Sequence, residues 1–187
     1  MWLSAFGIDA NVVDALSLAR VLPDDPVPEW ARYGRTSWVE GGYRLLVPLY
    51  DTSGAISALY ARSLRPLGNR SGRRSLPAVS GAGCFVMANR PALGLLRTAS
   101  WPAKSEWNSV LVVGGAVDFL DWATSVHVEP IPVLGLVPGS WSPAMAARIP
   151  NGSRVILRTH KNPIAGRYAH QLAASLHERC EVVVRNC

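Results

Sequence analysis

Residues 109–120 read SVLVVGGAVDFL, and this stretch decides the class of fold. Four apolar residues in succession, Val110 to Val113, are typical of a strand that is buried on both faces. The pair Gly114-Gly115 interrupts the run, and the apolar residues that follow recur at helical spacing. The stretch therefore predicts a buried strand, a glycine turn and an α-helix.

The same alternation of strand and helix continues to residue 185. Short apolar runs bounded by turn residues predict strands, and longer segments with apolar residues at helical spacing predict helices. The predicted strands are 131–139 (IPVLGLVPG), 153–159 (SRVILRT) and 180–185 (CEVVVR), and the predicted helices are 142–149 (SPAMAARI) and 166–178 (GRYAHQLAASLHE). Such alternation gives a parallel sheet with helices on both faces, so we predict an α/β unit of about four strands over residues 105–187.

Residues 1–104 have a different pattern, which predicts a smaller α+β lobe. Asp9 can cap a helix over residues 10–22, where apolar residues follow helical spacing. Two apolar runs flank the tetrapeptide 51–54 (DTSG), a β-hairpin signal in which glycine permits a positive φ angle. Residues 65–83 are rich in glycine and arginine and lack periodicity, which predicts a loop.

The composition describes a globular protein of a reducing compartment. Of the 187 residues, 49% are hydrophobic and 17% are charged, unlike a disordered chain. No apolar run approaches the roughly 20 residues that cross a bilayer, and the first residues lack the pattern of a signal peptide, so we expect a cytoplasmic protein with no membrane partner. The three cysteines, Cys84, Cys180 and Cys187, form no Cys-x-x-Cys pair, which argues against a zinc site and a disulfide framework.

The basic residues are concentrated in two segments that contain no acidic residue. The formal net charge is +6, and all but two of the 19 Lys and Arg residues are arginines. One acid-free segment lies between Asp51 and Glu106, and the other lies between Glu129 and Glu178. Because arginine makes bidentate contacts with phosphate, this distribution favours a polyanionic partner, nucleic acid first. A solvated basic surface without a ligand is the alternative.

Several segments resemble the Toprim domain of bacterial and phage primases, topoisomerases and some nucleases. In that family a strand ends in an acidic residue followed by glycine, with an aspartate four residues beyond the acid, and a later strand ends in Asp-x-Asp before a glycine-led helix. Here VLVVGGAVDFL (110–120) resembles the first motif and VILRTHKNPIAGRYA (155–169) resembles the second. YRLLVPLYDTSGAISALYARSL (43–64) and RRSLPAVSGAG (73–83) resemble the lobe that precedes Toprim in phage and plasmid primases. The resemblance implies a Toprim-like, Rossmannoid sheet preceded by a primase-like lobe.

The metal-binding acids of the Toprim family are replaced in this chain. The resemblance places the family's glutamate at Gly114 and its Asp-x-Asp aspartates at His160 and Asn162; the aspartate of the first motif remains as Asp118. Magnesium prefers carboxylate oxygens in near-octahedral geometry, and Lys161 adds a repelling charge. We therefore expect no Toprim-type magnesium site, no cofactor and no Toprim catalysis. Asp118 is either a leftover ligand or a first-turn acid that faces the helix dipole.

A turn that has lost its acids could bind phosphate directly. Lys161, His160, Arg158 and the backbone N–H groups of a helix starting at Gly166 would supply positive charge, so we hypothesise phosphate binding without metal and without chemistry. The residues predicted to contact nucleic acid, whether DNA or RNA, single-stranded or primer–template, are Arg62, Arg65, Arg70, Arg73, Arg74, Arg158, His160, Lys161 and Arg167. A relic pocket that binds nothing is the alternative.

Three functions remain open from the sequence. The first is a primase-related nucleic-acid-binding protein, inactive in Toprim chemistry, that acts in DNA replication of a phage, plasmid or other mobile element. The second is an interaction module that docks on replication or defence proteins. The third is an active primase or nuclease with a non-standard site, although no acid–base pair replaces the lost one.

Overall fold

A computed structural model gives the fold of the chain. It describes residues 2–33, 35–64, 73–75, 84–102, 108–125, 131–137, 139–159 and 163–186. In chain order the described elements are a 3-10 helix (Leu3–Phe6), α1 (Ala10–Ala15), β1 (Arg20–Val21), β2 (Arg32–Tyr33), β3 (Thr36–Ser37), β4 (Tyr43–Tyr50), β5 (Ile56–Ser63), β6 (Arg73–Ser75), β7 (Val86–Ala88), α2 (Arg90–Thr98), β8 (Ser109–Gly114), α3 (Ala116–Ser125), β9 (Val133–Leu136), α4 (Pro143–Ala146), β10 (Arg154–Thr159), α5 (Pro163–Leu176) and β11 (Glu181–Asn186).

The described strands form one large sheet and a small two-stranded ribbon. The order in the large sheet is β11-β10-β8-β9-β7-β4-β5-β6, with β1 paired to β4, and β2 and β3 form the ribbon. The four strands β11, β10, β8 and β9 are parallel to one another, so the predicted parallel α/β sheet of four strands is confirmed. Strand β7 lies antiparallel between β9 and β4, and it connects the parallel strands with the N-terminal hairpin.

Helices cover both faces of the sheet. Because side chains alternate along a strand, Leu111 and Val113 of β8 contact the core on one face, while Val110 and Val112 contact the core on the other. The face with Leu111, called the front face here, is covered by α3 and by the N-terminal segment with α1. The opposite, back face is covered by α2, α4 and α5. No helix in the described part of the chain has the length and the apolar composition to cross a membrane.

The first predicted helix begins as expected but ends early. The carboxylate of Asp9 accepts a hydrogen bond from the N–H of Asn11 at 2.8 Å, which confirms the predicted cap. The prediction that the helix reaches residue 22 is wrong, since α1 ends at Ala15 and residues 20–21 form a strand beside β4. Strand pairing has overridden the local helical pattern, because the backbone groups of β1 bond to the edge of β4.

The predicted hairpin is confirmed, and Asp51 organises its turn. One carboxylate oxygen of Asp51 accepts hydrogen bonds from the N–H and hydroxyl groups of Ser53 and from the N–H of Ala55. The other accepts a bond from the hydroxyl of Ser57. The hydroxyl of Ser53 is the main cause that lowers the pKa of Asp51, and Gly54 takes the positive φ of 74° that the turn requires.

Three local predictions need correction. Within the predicted loop 65–83, residues 73–75 form strand β6 on the outer edge of β5, because ladder bonds use backbone groups and need no apolar pattern. Helix α5 begins at Pro163 and not at Gly166, with proline at the first helical position where its missing N–H costs no bond. The sequence predicted no element over residues 84–98, where the structure has β7 and α2.

Gly135 of β9 provides a test of the packing between α3 and the front face. A Cβ atom at this position would lie 2.7 Å from Cβ of Phe119 and 3.0 Å from Cβ of Met87, so either the strand or α3 must shift. We expect Gly135→Ala to lower the free energy of unfolding by about 1–3 kcal/mol in urea titrations. The matched control is Gly94→Ala in α2, where the new Cβ meets no atom within 4 Å. This control should raise stability by about 1 kcal/mol, and equal effects of the two substitutions would contradict the packing described here.

Candidate functional site

The carboxyl ends of four parallel strands meet at one edge of the sheet. Strand β8 ends at Gly114, β9 at Leu136, β10 at Thr159 and β11 at Asn186. In register, Gly114 lies beside Leu136, and Thr159 lies beside Asn186. Open α/β sheets bind their ligands at this edge, because the loops that follow the strands converge there. This edge is therefore the candidate site, and it is called the strand-end surface below.

Two adjacent glycines form the turn from β8 into α3, and they differ in what they tolerate. Gly115 has φ +90°, a conformation that favours glycine, and its N–H donates to the carbonyl of Leu136 at 3.0 Å. Gly114 is exposed, its φ is not in the left-handed region, and a Cβ added there would meet no atom within 4 Å. The turn thus requires glycine at position 115, whereas a larger side chain would fit at position 114.

Arg158 reaches the strand-end surface from β10 and stacks on an aromatic ring. It alternates with Val155 and Leu157 of the back core, so its side chain lies on the front face. Its guanidinium carbon is 4.5 Å from the ring centroid of Trp122 on α3, within the range of a cation–π contact. Arg158 was predicted from the sequence as a nucleic-acid contact, whereas Trp122 was not predicted. The available signal was spacing, because Trp122 follows Asp118 by four residues and so lies on the same side of the helix.

A second arginine lies beside Arg158. In the parallel pair of β10 and β11, Arg158 is in register with Arg185, so both belong to the front face. Arg185 is exposed to solvent. Arg185 was not among the predicted nucleic-acid contacts, because the register that places it beside Arg158 cannot be read from either strand alone. Two adjacent arginines add positive charge at this edge, which favours an anion there.

Comparison with known proteins identifies the fold. No protein-family model matches the chain, and no curated protein matches it. Among solved structures, the Escherichia coli primase catalytic core is similar, with a TM-score of 0.61 and 15% identity over 98% of this chain and 64% of that one. The DnaG primase catalytic domain bound to single-stranded DNA has a TM-score of 0.58 and 14% identity over 99% of this chain and 63% of that one. The primase fragment of the bacteriophage T7 primase-helicase has a TM-score of 0.55 and 14% identity, with 98% and 64% covered.

The chain has the fold of a DnaG-type primase catalytic core. The resemblance found in the sequence is thereby confirmed at the level of the fold. The chain spans just under two thirds of the length of these three structures, 63–64%.

The described residues at the strand-end surface do not fit a magnesium ion. Gly114 supplies no oxygen ligand where the Toprim resemblance places a glutamate. Asp118, half-buried in the first turn of α3, is the family's remaining carboxylate. Within the described residues, no group of three or more His, Cys, Asp or Glu side chains could hold a metal ion. Magnesium needs several hard oxygen ligands, and the described residues at this surface do not supply them.

The predicted nucleic-acid contacts separate into two groups in the structure. Arg62 lies on β5, five strand positions from β10, and Arg73 of β6 is in register with it. The guanidinium carbon of Arg62 is 5.3 Å from the ring centroid of Trp2, and its Nε is buried without a hydrogen-bond partner. Arg74 of β6 is in register with Ala61 of β5. Arg62 and Arg73 are therefore neighbours on adjacent strands, and this pair, called the hairpin group, lies at the opposite end of the strand order from Arg158.

Among the remaining predicted residues, the structure describes Arg167 but not the others. Arg167 is exposed on α5, which packs on the back face through Leu172 and Leu176. The predicted residues Arg65, Arg70, His160, Lys161 and Asn162 lie outside the described residues. The last three connect the end of β10 with the start of α5 along the chain.

Substitutions at the two turn glycines test whether the backbone of the turn can accommodate an acidic side chain at position 114. We expect Gly114→Glu to keep the free energy of unfolding within about 0.5 kcal/mol, because the new side chain enters open space at a surface position. Gly115→Glu should cost about 1–2 kcal/mol, because a side chain at φ +90° is strained. Denaturant titrations of both variants give the comparison. A strongly destabilised Gly114→Glu variant would show that the turn itself excludes the acid.

Proposed function

We propose that this protein binds nucleic acid at the strand-end surface without a metal ion and without Toprim catalysis. The observation that carries the proposal is the arrangement of Arg158, stacked on Trp122 and adjacent to Arg185, beside a Gly114 that offers no carboxylate. In a Toprim domain this strand-end surface would bind a cation, whereas in this chain it carries cationic side chains. Such an edge attracts phosphate directly.

The stacking of Arg158 explains how a phosphate would be bound. The ring of Trp122 contacts one face of the guanidinium group, which limits the rotation of the side chain. A guanidinium group held in this orientation suits bidentate recognition of phosphate oxygens. Lys161, two residues beyond the end of β10 along the chain, would add a point charge.

The hairpin group extends the proposed surface along the sheet. Five strand spacings separate β10 from β5, which corresponds to roughly 24 Å across the sheet, and Arg62 is further offset along the strands because it pairs with Leu45 and not with the Tyr50 end of β4. A strand of several nucleotides could reach from Arg158 to Arg62, whereas a dinucleotide could not. We therefore propose single-stranded or primer–template nucleic acid as the partner, with the affinity increasing with length until both groups are occupied.

The similar proteins support a role in DNA replication. One of the solved structures is a primase domain bound to single-stranded DNA, and another is the primase fragment of a bacteriophage protein. We propose that this chain acts in replication of a phage or another mobile element as a template-binding protein that has lost primer synthesis.

Substitution of Arg158 tests the proposal against a matched control on the same strand. Arg154 also lies on the front side of β10, but at its amino end, where it pairs with Glu181 at 3.4 Å. We expect binding of labelled oligonucleotides, measured by fluorescence anisotropy, to be equal in Mg²⁺ and in EDTA and to fall steeply with salt. Arg158→Gln should lower the affinity and reduce the slope of log K against log salt by about 0.7, whereas Arg154→Gln should change the slope little.

The same titrations separate the proposal from its alternatives. Equal losses for Arg158→Gln and Arg154→Gln would show that net charge alone determines binding. An unchanged affinity after Lys161→Glu would show that Lys161 does not contribute to the surface. No binding at low salt would contradict nucleic-acid recognition and favour a docking module for other proteins. Primer synthesis or cleavage that depends on Mg²⁺ would favour an enzyme with a non-standard site.

A further inference from the structure

Strand β11 forms one end of the large sheet, and its outer side carries no strand among the described residues. It pairs with β10 over six consecutive residues without a bulge. Exposed edges of this kind are usually protected by proline, charged side chains, a bulge or a covering segment; β11 (EVVVRN) contains no proline, and its central residues Val182–Val184 carry no charge. Val184 on this strand is 49% exposed, which is unusual for a valine within a sheet. The edge is therefore competent to pair with another strand.

The hydrogen bonds to β10 show which backbone groups of β11 face outward. The N–H of Glu181 donates to the carbonyl of Ser153, the residue before Arg154 of β10, at 3.0 Å. In a parallel pair, alternate residues bond to the neighbouring strand, so 181, 183 and 185 bond to β10. The backbone groups of Val182, Val184 and Asn186 consequently point away from the sheet. They form the row of donors and acceptors that an added strand would use.

We propose that a second copy of this chain occupies this edge, with the two β11 strands antiparallel and centred on Val183. In this register Val182 lies opposite the partner's Val184, and these pairs use the outward N–H and C=O groups. Glu181 lies opposite the partner's Arg185, and by symmetry Arg185 lies opposite the partner's Glu181. One strand thus carries, in the right order, both halves of a self-complementary interface with twofold symmetry.

The charges select this register among those that use the same backbone groups. Shifting the partner strand by two residues in either direction keeps the same outward backbone groups but places Arg185 opposite the partner's Val183 or the partner's Arg179. In either of these registers Arg185 has no acidic residue opposite it. Glu181 is available for the contact, because its side chain is 65% exposed and its bond to Arg154 lies on the surface. The second copy thus supplies an acidic residue directly opposite Arg185.

Exchange of the two charges gives a test that does not depend on nucleic-acid binding. The full chain is examined by sedimentation equilibrium over a concentration series, and we expect a concentration-dependent dimer. Glu181→Arg places two arginines opposite each other, and Arg185→Glu places two glutamates opposite each other, so each should weaken the dimer about ten-fold or more. The double variant E181R/R185E should restore it. An equimolar mixture of the two single variants should form heterodimers, because both contacts are then complementary.

Two controls make the result specific to β11. Glu29→Arg makes the same change in charge at an exposed residue outside the large sheet, and it should leave the dissociation constant unchanged. Thermal unfolding of each variant should show the fold intact, since both substituted side chains are exposed. Amide exchange at Val182 and Val184 should slow as the concentration increases. A wild type that stays monomeric throughout the series, a dimer that is insensitive to the single substitutions, or a mixture without heterodimers would overturn the proposal.

Discussion

The structure depends on the burial of β8 on both of its faces. Val110 and Val112 contact the back core under α2, α4 and α5, while Leu111 and Val113 contact the front core under α3. A strand covered on both faces lies in the interior of a sheet, and here β10 and β9 flank it in parallel. Because the three strands are parallel, their carboxyl ends meet at one edge, and the chemistry of that edge is set by the residues that follow them.

At that edge, a turn that requires glycine lies beside basic side chains. Gly115 holds the turn with φ +90° and bonds to Leu136, so α3 starts where the strand ends. The neighbouring Gly114 has room for a side chain and carries none. Arg158 lies against Trp122 beside this turn. In the proposed function this framework positions guanidinium groups, which need no cation in order to bind a phosphate.

The parallel half of the fold could be predicted from the sequence because its signals are local and redundant. The run Val110–Val113 and the glycine pair after it predict strand and turn without knowledge of the rest. The N-terminal lobe was harder, since β1, β6 and β7 are strands of two or three residues that exist through pairing with neighbours. Arg158 could be selected as a candidate from its motif, whereas Trp122 and Arg185 lie beside it through packing and strand register, which no single segment encodes.

Photo-crosslinking in EDTA tests the central claim most directly. A single-stranded oligonucleotide with photoreactive bases would be irradiated with the protein, and the crosslinked peptides would be identified by mass spectrometry. Binding at the strand-end surface predicts crosslinks without metal in the peptides that contain Trp122 of α3 and residues 158–167. Crosslinks that require Mg²⁺, or that map only to other parts of the chain, would contradict the account.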